Sequence, residues 1–133
     1  MLKNKIFAAA VFASFAWNLS LVGGVILGAS YALDRAAGGQ FEVFPPYIRI
    51  VYVLILMLIV FQLEIFRRSL YGRSTKPEWI IKAFVIIGVL GILANAASPS
   101  SNERWNVIPA FFITIAFYRM LKPNLKKYAE SSN

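Results

Sequence analysis

Four long apolar stretches, at residues 6–33, 46–66, 78–97 and 103–121, take up most of this 133-residue chain. Stretches of that length match the hydrocarbon thickness of a bilayer. Lipid offers no hydrogen bonds to a bare backbone, so an apolar segment that crosses it closes its own bonds as a helix. Hydrophobic residues make up 59% of the chain, well above what a soluble domain of this size uses for a core. The sequence therefore predicts one all-α domain over residues 1–133, with four transmembrane helices in an antiparallel up-down bundle. Short connections make consecutive helices antiparallel.

The positive charges supply an orientation. Of the 14 Lys and Arg residues, all but Arg35, Arg49 and Arg104 lie on one side of this pattern. Lys3, Lys5, Arg67, Arg68, Arg73, Lys76, Lys82, Arg119, Lys122, Lys126 and Lys127 occupy the tails, the middle loop or the adjoining span ends. Cytoplasmic loops retain Lys and Arg during insertion, which predicts both termini inside. The same bias argues against a dual-topology transporter. A net charge of +8 does not point to nucleic acid: the charges cluster at span ends, where an anionic leaflet accounts for them.

Lys3 and Lys5 ahead of an apolar run resemble a signal peptide. The run continues to residue 33, however, too long for an h-region and long enough to span with tilt. The sequence has no cysteine and no histidine. That excludes disulfides, Cys/His metal sites and His- or Cys-ligated haem, and removes the commonest general base. No cofactor and no metal are expected.

Each polar residue in the apolar stretches has a structural and a functional reading. Ala16, Ser20, Gly24 and Gly28 recur every four residues and would form one smooth ridge for helix packing, within the chain or between copies. Asn18, Gln62, Asn95 and Thr114 need hydrogen-bond partners in lipid, either other helices or a ligand. Glu64 lies inside span two, but Arg68 stands one helical turn on and Arg67 is close, so a local ion pair is favoured over proton or cation coupling. The sequon at Asn18-Leu19-Ser20 lies within the membrane and is discarded.

The densest polar group surrounds the turn before span four: Asn95, Ser98, Ser100, Ser101, Asn102, Glu103, Arg104 and Asn106. Asp34, Arg35 and Arg49 should share its depth. A cap with Glu103 paired to Arg49 or Arg35 is the structural reading. The functional reading is a ligand site of Arg49, Asn95, Ser98, Glu103 and Arg104, in which Arg49 pairs Glu103 and Arg104 meets an anion or lipid headgroup.

The stretch Asn95-Ala-Ala-Ser98-Pro-Ser100-Ser-Asn-Glu103-Arg104-Trp105, followed by Pro109, resembles a signature of small four-span bacterial membrane proteins. There it reads roughly Asn-x-x-Ser-x-Ser-x-x-Glu-Arg, then Trp and Pro, with an Arg opening the second span as Arg49 does here. Trp105 follows Arg104 directly, a spacing that departs from that pattern. The resemblance implies a bacterial inner-membrane location and a single unit formed by Asn95, Ser98, Ser100, Glu103 and Arg104. It implies no activity.

Three function classes remain. The favoured one is a non-catalytic membrane module that binds a lipid, a small ligand or a partner membrane protein at its extracytoplasmic end. A homo-oligomeric channel or transporter is the alternative, because one four-helix bundle is too thin to enclose a pore. An enzyme would have to rely on Glu64, Glu103, Asp34 or tyrosines at no recognisable catalytic spacing.

Overall fold

In the computed structural model the backbone is described for residues 2–72 and 77–131, and side chains for residues 4–72 and 77–122. Of the residues behind the charge argument, the side chains of Lys3, Arg73, Lys76, Lys126 and Lys127 lie outside the described residues. The chain is all-helical, at 82% helix, with no strand among the described residues. Helix α1 spans Leu2–Leu27, α2 Pro46–Leu70, α3 Glu78–Ala96, the single turn α4 Ser101–Arg104, and α5 Val107–Ser131.

Three of these are long and apolar enough to cross a membrane: Asn4–Leu27, Pro46–Leu70 and Glu78–Ala96. In α5 the uncharged stretch covers only residues 107–118, before Arg119 and Lys122. Of the three spans α1 is the most enclosed, with 39% of its apolar window buried against 17% for α2 and 11% for α3. That places α1 centrally, flanked by α2 and α5, and α3 lies along α5.

Aromatic contacts set the directions. Phe12 and Phe15 of α1 meet Phe66, near the end of α2. Phe7, near the start of α1, meets Phe112 and lies beneath the Arg119 guanidinium of α5. Phe84, early in α3, stacks edge-on to Phe117 at 5.0 Å. Phe12 meets Phe66 while Gly28 meets Arg49, Phe7 meets Arg119 while Trp17 meets Asn106, and Phe84 meets Phe117 while Gly88 meets Thr114, so α1 runs antiparallel to α2 and α5, and α3 antiparallel to α5. Although consecutive, α2 and α3 pack mainly along α1 and α5, and meet each other at Phe61 and Phe84.

The helix ends follow local chemistry. Pro46 sits at the first position of α2, where its missing N–H costs nothing and its fixed φ suits a helix. Glu78 opens α3 and pairs with Lys82 one turn on. The end of α1 corrects the expected span of 6–33. At Gly28 φ is +74°, a left-handed conformation that a β-carbon disfavours. The N–H of Ala29 reaches the Gly24 carbonyl, and that of Gly28 the Val25 carbonyl, the paired bonds of a Schellman stop. The chain then turns through short 3-10 segments at Ser30–Ala32 and Ala37–Gly39.

The last span differs as well. Instead of one helix from residue 103, the chain forms α4, breaks at Trp105 and Asn106, and restarts at Val107. At the far end Pro123 does not stop α5, whose backbone stays helical to Ser131.

Helices here approach through small residues. Gly88 of α3 lies over Thr114 of α5 so closely that a β-carbon there would collide with the Thr114 hydroxyl. Lipid provides no hydrophobic drive between helices, and close packing of this kind takes its place. The expected ridge on α1 does not work that way within the protomer. Ala16, Ser20 and Gly28 are exposed. Gly28 has left the helix, and Gly24 is covered by the Tyr31 ring folding back to donate its hydroxyl to the Ser20 carbonyl.

Candidate functional site

The polar end of the bundle, where α1 and α3 finish and α2 and α5 begin, is one network between two loops. Residues 28–45 leave α1, and residues 97–106 join α3 to α5. Ser100 caps α4, its Oγ accepting from the Glu103 N–H at 3.3 Å, which satisfies a free donor of the first turn. The same hydroxyl donates to the Asp34 carbonyl. Asn102 donates to the Asp34 carboxylate. Asn106 donates its amide to the Arg35 carbonyl at 3.0 Å and accepts from the Trp17 indole at 2.9 Å. One Asn side chain thus ties α1, the first loop and the start of α5 together.

Glu103 is the centre of this network. Its Oε2 accepts from the Gly38 backbone N–H at 2.9 Å and from the Ser98 hydroxyl. Ala37, Gly38 and Gly39 all have positive φ, which turns the Gly38 N–H toward the carboxylate. Ser98 is buried and also accepts from the Ser100 N–H. The Tyr52 hydroxyl lies against the Ala37 backbone, within the field of Glu103.

The expected ion pair does not form. No salt bridge joins Arg49 or Arg35 to Glu103 among the described residues. Arg49 donates to the Phe44 carbonyl at 3.1 Å, and its guanidinium lies over Gly28. Neutral donors hold Glu103 instead: the left-handed loop supplies the Gly38 N–H, and the turn after α3 supplies the Ser98 hydroxyl. Arg104 is exposed, and its Nε donates to the Ser98 carbonyl at 2.8 Å. Arg35 stacks over the Trp17 ring at 5.8 Å, with Asp34 3.9 Å from its Nε.

The other sequence candidates divide. Glu64 accepts from Arg67 at 2.8 and 2.9 Å and from Arg68 at 2.7 Å, the local pairing favoured from the sequence. Thr114 returns its hydroxyl to the Ala110 carbonyl, a bond within its own helix. Asn95 donates to the Gly91 carbonyl one turn back. Asn18, Gln62 and Asn95 line one cavity of about 230 Å³ to which α1, α2, α3 and α5 all contribute.

Two features were not anticipated. One is the use of Asn106 as a three-way tie, for which the sequence offers no signal beyond its place in the polar cluster. The other is an apolar groove of about 470 Å³ along α1 and α5. Ala10, Ala13 and Ser14 form one wall, Ile108, Pro109 and Phe112 the other, and Trp17, Trp105 and Arg35 sit at the end nearest the polar network. The small α1 residues leave the space, and period-four spacing on the same helix could have disclosed it. No family model matches this chain, and neither a curated protein nor a solved structure matches it.

Proposed function

We propose that this is a non-catalytic four-span protein of the bacterial inner membrane, with both termini cytoplasmic, that holds an anionic lipid at its extracytoplasmic end. The observation that carries this reading is the α1–α5 groove with Arg35 and two tryptophans at its mouth. An apolar trough suits an acyl chain. Tryptophan favours the headgroup level, and a guanidinium recognises phosphate with several donors at once. The Lys and Arg asymmetry supports the orientation, and α5 supplies the fourth crossing, its charged end reaching the cytoplasmic headgroups.

In this reading the polar cluster is a scaffold. Asn95, Ser98 and Glu103 spend their hydrogen bonds inside the protein, and Arg104 braces the Ser98 carbonyl. The lipid contact moves to Arg35, with Arg104 exposed at the same end. The alternative, a homo-oligomeric channel or transporter, takes support from Ala16 and Ser20, which stay exposed on α1. A defined oligomer in lipid nanodiscs would favour it.

The test is lipid retention by native mass spectrometry after reconstitution with phosphatidylglycerol and phosphatidylcholine. Wild type should retain phosphatidylglycerol preferentially. Arg35→Gln should remove the preference, and Ala13→Phe, which fills the groove, should remove retention of either lipid. Unchanged retention in both variants would rule the site out.

A further inference from the structure

The cavity at the centre of the helices has a composition that the lipid reading does not use. Its walls are largely aliphatic, Ile55, Ile59 and Ile113 among them, interrupted by the polar side chains of Asn18, Tyr52, Gln62, Asn95 and Asn106. No charged side chain lines it. Gln62 is only 6% exposed. Among the described residues no hydrogen bond reaches the side chain of Gln62 or of Asn18, whereas every fully enclosed side-chain nitrogen or oxygen has a partner. The Gln62 amide therefore keeps accessible surface, and the surface it faces is the cavity. An amide held unpaired in a membrane interior costs about 1–3 kcal/mol, so its partner is expected to be something that enters.

We propose that this cavity binds a small uncharged amphiphile bearing one hydroxyl or amide group, whose polar end pairs with Gln62 and Asn18. Charge is excluded because no countercharge lines the space, and an ion there would be left without compensation. Size is bounded by the volume: a cavity of roughly 150 Å³ holds benzene, so about 230 Å³ holds one substituted ring or a short chain. The apolar walls select the body, while the two amides, each both donor and acceptor, select a group that is the same. Such molecules partition into bilayers, and α2 and α3 pack mainly along the other helices, so the approach from lipid lies between them. The site is separate from the α1–α5 groove, and neither reading depends on the other.

Phenol and toluene are the probes, alike in shape and differing by the hydroxyl. Binding is titrated on the protein in nanodiscs by saturation-transfer NMR. Phenol should bind saturably, at least about tenfold more tightly than toluene, the discrimination expected for one buried hydrogen bond. Gln62→Leu and Asn18→Leu should each bring phenol down to the toluene level and leave toluene within about twofold. Neither replacement costs a protein hydrogen bond, and circular dichroism confirms that each variant keeps its helices. Arg35→Gln should leave phenol binding unchanged. The proposal fails if phenol shows no saturable binding, if toluene binds as tightly, or if both variants bind phenol as wild type does.

Discussion

Replacing Glu103 separates the two accounts of the polar cluster. In the structure one carboxylate oxygen serves two neutral donors, the Gly38 N–H and the Ser98 hydroxyl. A hydrogen bond to a charged group contributes about 1.5–3 kcal/mol, and leaving its donor unpaired adds a desolvation cost. The two bonds share one oxygen and water reaches the half-buried site, so they do not add in full. Glu103→Ala is expected to cost about 2–4 kcal/mol. In Glu103→Gln the amide oxygen still accepts from both donors and only the charge assistance goes, for about 1 kcal/mol. Arg49→Ala removes one bond to the Phe44 carbonyl and the packing of the stem, again about 1 kcal/mol.

The assay is reversible unfolding in mixed detergent micelles, with amide exchange at Gly38 as the local readout. Exchange there should rise sharply in Glu103→Ala and little in Glu103→Gln. The double variant with Arg49→Ala should be additive to within about 0.5 kcal/mol, since the pair shares no bond. A coupling above about 1 kcal/mol, or a Gln variant as damaged as the Ala variant, would restore the Arg49–Glu103 ion pair and refute this account.

Two further outcomes follow from the packing and the charge pattern. Gly88→Ala places a methyl group against the Thr114 side chain, so Thr114 must turn or α3 and α5 must part. The expected cost is about 1–3 kcal/mol, and a companion Thr114→Ala should relieve most of it in the same unfolding assay. The chain has no cysteine, so single-cysteine variants report topology directly. Ser101→Cys should react with an impermeant maleimide only from outside and Ser74→Cys only from inside, and the reverse pattern would overturn the orientation.

Helix identity was legible from the sequence because it rests on long-range composition. The Glu64 ion pair was legible too, because residues one turn apart must meet on a helix. The outer cluster was legible as a cluster and not as a wiring diagram. That the Gly38 N–H reaches Glu103 depends on three consecutive left-handed residues, Ala37 to Gly39, and an alanine at the first of them hides that turn. The ridge on α1 was legible as a shared face and not as a packing surface within the protomer. A period-four repeat fixes which residues share a face and says nothing of where the helix ends. Gly28 proves to be the stop signal, and Gly24 is covered from within by Tyr31.

The amides show why polarity inside a span has no single meaning. Asn106, Asn95, Gln62 and Asn18 are alike in sequence, each an uncharged polar group among apolar neighbours. Asn106 sits where two loops and α1 converge, so both ends of its amide are used. Asn95 has turned to its own helix backbone and offers only its oxygen beyond it. Gln62 and Asn18 face a space that α2 and α3 leave open by packing along α1 and α5 instead of along each other. Helix order around the bundle therefore decides which amides are structural and which remain available. That order is set by close contacts such as Gly88 over Thr114 and Phe84 on Phe117, and forcing α3 toward α2 would narrow the space that both amides face.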